Sequence, residues 1–284
     1  INGHEFAGEI EALGAGVRDP AVGDRVVADN TELCGACFYC RRDQPLYCEN
    51  FTSHGCNCAG GFAEYVAIKA EKVFKLDRLS WREAVMTEPT ACAVHGADRI
   101  AVAPGSEVLV FGAGPTGLIL AQLLKANGAA RLTVAAPPGK KLDLAARLAA
   151  DEVVPIDRSD PGKHRKRIDE SHPRGFDVIV EATGSPEVFE DCFRYTRRGS
   201  KVIAYGVYPE DAKVSVSPYD LFYNETTMIG SFAQTHCFDR ALMYLESGVV
   251  KVDDLVDCEL PLSEYGQALE KMANGEAVKI AVCP

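Results

Sequence analysis

The sequence predicts an α/β protein in which a doubly wound parallel sheet is joined to a smaller β domain, and three observations support this prediction. The 284 residues, 47% of them hydrophobic, are enough for two domains with separate cores. Residues 1–68 have the pattern of short strands punctuated by glycine and interrupted by a cysteine-rich loop. Beyond Pro89, apolar strands alternate with helical segments, which is typical of a parallel sheet covered by helices on both faces.

The individual elements follow from the apolar periodicity and from its interruptions. The first domain has strand patterns at Arg25–Ala28 and 63–68. The alternating domain begins with a helix that ends at Ile100. It continues through strand Glu107–Phe111, helix 116–126, and strands 132–135, Glu152–Pro155, 177–181 and 201–205. The remaining patterns are helices 238–247 and 260–274 and a final strand 278–282. We therefore predict one domain from residues 1–90 and 233–284, and a second from residues 91–232.

The charge and the cysteine content exclude several classes of function. A net charge of -11 leaves no basic footprint for nucleic acid or an anionic membrane surface. The one basic run, 163–167, is explained as a solvated loop or helix face. The chain has eleven cysteines, an odd number, and six of them cluster between residues 34 and 58, which favours metal binding over a secreted disulfide lattice. No apolar run reaches the roughly 20 residues of a membrane span. We expect a cytoplasmic protein that acts on small molecules, without a nucleic-acid or membrane partner.

A glycine fingerprint follows the strand Glu107–Phe111 and opens a helix. Its members, in the spacing G-x-G-x-x-G, are Gly112, Gly114, Pro115, Thr116 and Gly117. The first glycine permits a tight turn, the second lets a pyrophosphate approach the backbone, and the third lets the helix pack on the strand. The helix N-terminus adds amide donors and a partial positive charge. The pattern predicts a dinucleotide site, and the alternative is a glycine-rich turn without a ligand.

The end of the next strand lacks the acidic residue that NAD-binding chains usually place on the adenosine ribose, about 20 residues beyond the fingerprint. Strand 132–135 is followed by Ala136, two prolines and Gly139, and then by Lys140 and Lys141. Because a 2′-phosphate would meet no carboxylate there and two ammonium groups lie close by, we predict that NADP(H) is preferred over NAD(H). The alternative is that both lysines are solvated residues at a helix start.

Two later strands end in residues that we place beside the nicotinamide. Thr183 follows the strand 177–181, and Gly206 and Val207 follow the strand 201–205. Ligands of open α/β sheets bind at the carboxyl ends of the strands, which is where all three residues stand. Ordinary strand-terminal turns are the alternative explanation.

Four cysteines in one loop have the spacing of a metal site. In the pattern C-x2-C-x2-C-x7-C they are Cys34, Cys37, Cys40 and Cys48. One loop can thus wrap four thiolates around a tetrahedral Zn²⁺. Four sulfurs leave no open position for a substrate, so we predict a structural role, fixing a polar, loop-rich lobe. Buried thiols without a metal are the alternative. The regular spacing favours these four over Cys56 and Cys58 just downstream.

Several short motifs occur together in an order that a known enzyme family shares. They are Gly3-His4-Glu5-x-x-Gly8-Glu9, Gly23-Asp24-Arg25-Val26, the four-cysteine loop, Gly61-Phe62-Ala63-Glu64-Tyr65, Glu88-Pro89 and the glycine fingerprint. Over the whole chain this order resembles the zinc-containing medium-chain alcohol dehydrogenases. Segments 88–96 and 231–235 are similar to the polyol branch, sorbitol and above all D-arabinitol dehydrogenases. The resemblance implies a Rossmann coenzyme domain and a GroES-like β-barrel catalytic domain that is incomplete at its N-terminus.

The resemblance also implies a second, catalytic zinc. His4 and Glu5 match two positions of its ligand set, and Glu88 matches the carboxylate that polyol dehydrogenases place near the metal. The family's leading cysteine ligand would lie before Ile1. Glu88 could bind the metal directly, bind it through water, or shuttle a proton. Phe232 is assigned as a cofactor contact, in a segment that resembles the lining of the substrate side.

The implied activity is hydride transfer between NADP(H) and a polyol/ketose pair, with D-arabinitol as one candidate. A homodimer or homotetramer is also implied, with a contact near residues 228–231. One alternative is an NAD-dependent dehydrogenase of sorbitol, xylitol or another secondary alcohol, such as a threonine-like amino alcohol. Another is a non-catalytic, zinc-stabilised dinucleotide-binding protein.

Overall fold

The computed structural model describes residues Ile1–Pro284 and divides the chain into two compact units. The first unit consists of Ile1–Cys92 and Ala233–Pro284, and the second of Ala93–Phe232. The first boundary lies after Cys92 rather than after residue 90, within the continuous helix Thr87–Ile100. None of the helices combines the length and the apolar composition that a membrane span requires.

Thirteen strands and nine α-helices make up the two units. The strands are β1 (Ala7–Glu9), β2 (Arg25–Ala28), β3 (Thr31–Glu32), β4 (Thr52–Ser53), β5 (Val73–Lys75), β6 (Glu107–Phe111), β7 (Arg131–Ala136), β8 (Glu152–Pro155), β9 (Phe176–Glu181), β10 (Thr196–Ala204), β11 (Thr227–Gly230), β12 (Val256–Pro261) and β13 (Lys279–Cys283). The helices are α1 (Trp81–Ala84), α2 (Thr87–Ile100), α3 (Pro115–Ala126), α4 (Lys140–Leu148), α5 (Pro161–Ser171), α6 (Pro186–Cys192), α7 (Pro218–Asn224), α8 (Phe238–Glu246) and α9 (Tyr265–Ala273).

The second unit contains the six-stranded sheet, in the order β11-β10-β9-β6-β7-β8. Every neighbouring pair is parallel. The chain moves outward from β6 to β8 and then returns to β9 on the other side of β6. The carboxyl ends of β6 and β9 therefore mark the switch point, where such sheets bind ligands. The predicted doubly wound parallel sheet is confirmed.

The sheet is held by apolar packing on both faces. Residues 108–110 of the central strand β6 are fully buried, and residues 117–124 of α3 are also buried and are apolar except for Gln122. One cluster of buried side chains on this sheet includes Leu109, Phe111, Ile179, Phe189 and Val202. Each such side chain contributes about 1.5–3 kcal/mol by leaving water. The packed core therefore fixes the positions of the strand ends that carry the predicted cofactor residues.

The first unit has three small sheets. β1, β2 and β5 form an antiparallel sheet, β3 pairs with β4, and β12 pairs with β13 in parallel. Pro89 lies in the first turn of α2, where a missing backbone N–H removes no helical hydrogen bond. The helix predicted after Pro89 therefore begins earlier, at Thr87.

One predicted element of this unit is wrong, and another begins later than predicted. Segment 63–68 forms no strand, because no neighbouring strand pairs with it, and Tyr65 is 71% exposed. β2 pairs instead with β1 and β5. The helix predicted over 260–274 begins at Tyr265, because Leu260 belongs to β12 and is paired with Val282 of β13. Pairing with a strand distant in sequence overrode the helical periodicity of that window.

Candidate active site and metal centres

The four-cysteine loop lies between β3 and β4. These strands pair with Thr31 opposite Ser53, so the loop begins and ends at one place. Two short 3-10 helices, Cys40–Arg42 and Pro45–Tyr47, turn the chain back inside the loop. The four predicted sulfur ligands consequently lie within 4.8 Å of one another: Cys34, Cys37, Cys40 and Cys48.

The sulfur positions fit a tetrahedral zinc. The Sγ atom of Cys48 lies 3.5 Å from that of Cys34 and 4.0 Å from that of Cys37. Sulfurs bound to one Zn²⁺ at about 2.3 Å stand about 3.8 Å apart. Hydrogen bonds from the Ala36 amide and then the Asn50 side chain lower the pKa of Cys34 to about 6. The lowered pKa favours the thiolate of Cys34 that zinc would bind. Burial, and then the Cys37 thiol, raise the pKa of Cys40, so zinc binding there would release a proton. The sulfur positions and the four-sulfur donor set suit a closed metal site.

A second group of possible ligands joins residues that are far apart in the sequence. His4 and Glu5 precede β1, and Glu88 stands in the first turn of α2. One ligand atom from each lies within 4.8 Å of the other two. Backbone amides of residues 60–62 donate to carbonyls of residues 1–3 over 2.7–3.0 Å, which holds the His-Glu segment in place. The three residues that the resemblance assigned to a catalytic zinc are therefore together.

Two carboxylates, those of Glu5 and Glu88, lie close together in this group of ligands. Burial, and then the neighbouring Glu5 carboxylate, raise the pKa of Glu88 to about 8. The Cys92 thiol donates a hydrogen bond to Glu88 Oε1 over 3.3 Å, and the Lys279 ammonium contacts Glu5. Because opposite charge stabilises ionised carboxylates, a divalent cation bound here would offset the repulsion between Glu5 and Glu88. One imidazole and two carboxylates are ligand types that Zn²⁺ accepts.

Sequence reasoning missed Cys92 and Lys279. Cys92 stands four residues after Glu88 in α2, so helical spacing carried a usable signal for their contact. No sequence signal pointed to Lys279, because its contact with Glu5 depends on the position of β13 in the fold.

The glycine fingerprint forms the turn between β6 and α3. Gly112 has φ +107°, and a side chain there would lie 2.9 Å from a carbonyl oxygen beyond the end of β9. A side chain at Gly117 would lie 2.9 Å from the carbonyl oxygen of Gly112, so helix and strand approach closely. Nothing lies within 4 Å of the corresponding position at Gly114, the N-cap of α3. Pro115 and Thr116 form the first turn, and this open space beside free amide donors fits a phosphate.

The predicted lysines lie beyond the end of β7. Ala136, the last residue of that strand, is buried, and Gly139 is the N-cap of α4. Lys140 and Lys141 form the first turn of this helix, with Lys140 exposed and Lys141 half-buried. The structure therefore keeps both cations near the strand end that lacks a carboxylate.

A cavity of about 750 Å³ opens at the same ends of β7 and β8. Its apolar lining is Pro137, Pro138, Pro155 and Ile156, and its cationic lining is Arg158, Lys163 and Arg167. Lys163 already pairs with Asp157 at 3.4 Å and with Asp160 at 3.6 Å. His164, also in the lining, has a buried Nδ1 atom without a hydrogen-bond partner. The apolar walls and the cations suit a base joined to an anionic group. The sequence did not suggest this use for Lys163 and Arg167.

The residues assigned to the nicotinamide stand beyond the ends of two neighbouring strands. Thr183 follows β9, and Gly206 and Val207 follow β10, which pairs with β9 in parallel. Val207 is 93% exposed. Phe232, the last residue of the second unit, is 63% exposed.

Gln234, in the segment assigned to the substrate side, is buried rather than open. It is 1% exposed, and its Nε2 donates to Asp29 Oδ1 over 3.0 Å. Lys72 also contacts Asp29, at 2.9 Å. The amide of Gln234 is therefore engaged in the core of the first unit.

Two family models match long segments of the chain. Residues 1–78 match the alcohol dehydrogenase GroES-like domain, and residues 115–247 match the zinc-binding dehydrogenase domain. The chain is 49% identical to D-arabinitol dehydrogenase 1 of Uromyces fabae, with 100% of this chain and 82% of the relative covered. It is 33% identical to D-altritol 5-dehydrogenase of Agrobacterium fabrum, covering 93% and 77%. A structure described as a zinc-binding dehydrogenase from Sinorhizobium meliloti 1021, bound to NADP, superposes with a TM-score of 0.92 at 29% identity, covering 100% and 83%.

Proposed function

The chain belongs to the zinc-containing medium-chain alcohol dehydrogenase family, and on that premise we propose that it oxidises D-arabinitol to a ketose with NADP⁺ as hydride acceptor. The observation that carries the choice of substrate is the 49% identity, over the whole chain, to a D-arabinitol dehydrogenase. Relatives named as dehydrogenases favour this activity over a non-catalytic binding role.

In this proposal His4, Glu5 and Glu88 hold the catalytic zinc, and the four cysteines hold the structural one. A zinc at the first site supplies Lewis-acid polarisation of an oxygen of the substrate. His4 contributes an imidazole nitrogen, the two glutamates contribute negative charge, and Lys279 orients Glu5. The overall reaction converts polyol and NADP⁺ to ketose, NADPH and a proton.

Three features support NADP(H) over NAD(H). The strand end at Ala136 offers no carboxylate to the ribose, Lys140 and Lys141 begin the following helix, and the adjoining cavity carries Arg158. A 2′-phosphate at this place would meet Arg158, and the acidic residue of the lining, Asp157, is already paired with Lys163 at 3.4 Å. The NADP-bound structural relative adds support from a protein of the same fold.

Initial rates with D-arabinitol, sorbitol, xylitol and L-threonine, each with NADP⁺ and with NAD⁺, test the proposal. We expect the highest kcat/KM for D-arabinitol with NADP⁺. In the same assay, Lys141→Ala lowers kcat/KM for NADP⁺ by about tenfold and leaves that for NAD⁺ unchanged, since it removes a charge-assisted contact to phosphate. Lys166→Ala, an exposed lysine paired with Glu170, is the matched control. A strong preference of the unaltered protein for NAD⁺ would refute the cofactor assignment.

We also propose a homodimer formed through the sheet of the second unit. β11 is one of the two edge strands of this sheet, paired only with β10, and most of it is exposed, including Met228 at 45%. Phe222 on the preceding helix α7 is 80% exposed. The backbone groups on the outer side of this edge strand, beside exposed apolar side chains, can pair with the same strand of a second copy.

Light scattering after gel filtration checks this assembly. We expect the unaltered chain to have twice its monomer mass of 30.6 kDa. Met228→Lys places a charge on the edge strand and shifts the protein to monomer. Met243→Lys, at a methionine of α8 that is 69% exposed, keeps the dimer. A monomeric unaltered protein contradicts the proposal.

A further inference from the structure

Glu181, the last residue of β9, carries a carboxylate that is completely buried. Its Oε1 accepts hydrogen bonds from the Thr183 amide at 2.6 Å and from the Thr183 hydroxyl. Its Oε2 accepts from the Gly184 amide at 3.0 Å and from the Tyr208 hydroxyl. A carboxylate has about four lone-pair sites, so these four donors satisfy it, as burial of its charge requires.

The same residue also ties down the segment that follows β10. The carbonyl oxygen of Glu181 accepts hydrogen bonds from the amides of Tyr205 and Gly206 at 3.0 and 2.9 Å. Tyr208, four residues after the end of β10, packs edge-on against Phe189, with ring centroids 5.9 Å apart. Glu181 is thereby bonded to the turn after its own strand and to the turn after the neighbouring strand.

The two turns touch each other directly. Gly184 has φ +77°, and a side chain there would collide with the carbonyl oxygen of Val207. No room remains for a side chain between the turns, so their separation is set by backbone contacts and by the Glu181 hydrogen bonds. Buried polar networks whose members are all satisfied are rigid.

We propose that Glu181, with the Tyr208 hydroxyl, is a positioning residue that locks the turns after β9 and β10 into the wall against which the nicotinamide half of the cofactor lies. The inference rests on the proposed dinucleotide function, because Thr183, Gly206 and Val207 belong to these two turns. Glu181 touches no reacting atom. It acts through the residues that it holds.

The test compares binding of the whole cofactor with binding of its adenosine half alone. Dissociation constants are measured by fluorescence titration for NADPH and by competition for adenosine 2′,5′-bisphosphate, which lacks the nicotinamide. Tyr208→Phe keeps the ring and removes one donor. We expect it to raise the Kd of NADPH by about tenfold and to change that of the bisphosphate by less than about twofold. Glu181→Gln replaces one acceptor oxygen by an NH₂ group, which cannot accept the hydrogen bonds that this oxygen received. We therefore expect Glu181→Gln to raise the Kd of NADPH by more than Tyr208→Phe does, again with little change for the bisphosphate.

Tyr195→Phe is the matched control, because this tyrosine lies in the same buried cluster and its hydroxyl donates to Asp191 at 3.3 Å. A general loss of stability would affect this variant as well, and we expect its two dissociation constants to stay unchanged. Equal weakening of both ligands by Tyr208→Phe, or no weakening of either, overturns the inference. If the unaltered protein binds neither NADPH nor NADH, the proposed function fails first, and this inference with it.

Discussion

Replacing Glu88 by glutamine is expected to lower kcat/KM for polyol oxidation by about a thousandfold or more. The substitution keeps the shape of the side chain and removes one negative charge from the cluster with His4 and Glu5. The polarisation that a metal supplies is worth several kcal/mol of transition-state stabilisation, and about 4 kcal/mol corresponds to a thousandfold in rate. Bound zinc should fall from two atoms per chain to one.

Elemental analysis and steady-state kinetics check this result together. Glu71→Gln provides the matched control, because Glu71 is exposed and lies outside the ligand cluster. It should keep both zinc atoms and full activity. Unchanged zinc content in Glu88→Gln, together with a rate within about tenfold of the unaltered protein, would show that the cluster is not the catalytic metal site.

Cys48→Ser is expected to cause the largest loss of stability. Cys48 is the buried member of the four-cysteine cluster, and its sulfur lies within 4.0 Å of those of Cys34 and Cys37. Because metal binding there is coupled to folding of the loop, losing the zinc should cost several kcal/mol, which lowers the Tm by about 10 °C or more. One zinc atom per chain should be lost while the other remains.

A buried serine could itself destabilise the loop, so a second variant separates the two causes. Cys34 is exposed, and Cys34→Ser should lose the same zinc atom and most of the same stability. Cys56→Ser, at an exposed thiol outside the cluster, should keep its metal and its Tm. Retention of zinc by both Cys48→Ser and Cys34→Ser would rule out the structural site.

Motifs contained in one short segment were the most predictable from sequence. The four cysteines lie within fifteen residues of one loop, and the fingerprint glycines lie in one strand-turn-helix, so chain connectivity alone keeps their members close. The positive φ of Gly112 and the open space at Gly114 are what that motif requires of the backbone. The alternation of strands and helices likewise predicted the parallel sheet, because hydrophobic periodicity is a local property.

The sequence by itself therefore determined the fold class, the clustering of the four cysteines in one loop and the glycine turn between β6 and α3. Only the tertiary structure brought Lys279 to Glu5, tied Glu181 to Tyr208 and opened the cavity beside Arg158. It also decided that 63–68 is not a strand and that Leu260 belongs to one. Each of these outcomes depends on which strands pair and where distant segments meet. Such contacts are chosen by competition among many long-range pairings, and a local pattern carries no information about which pairing wins.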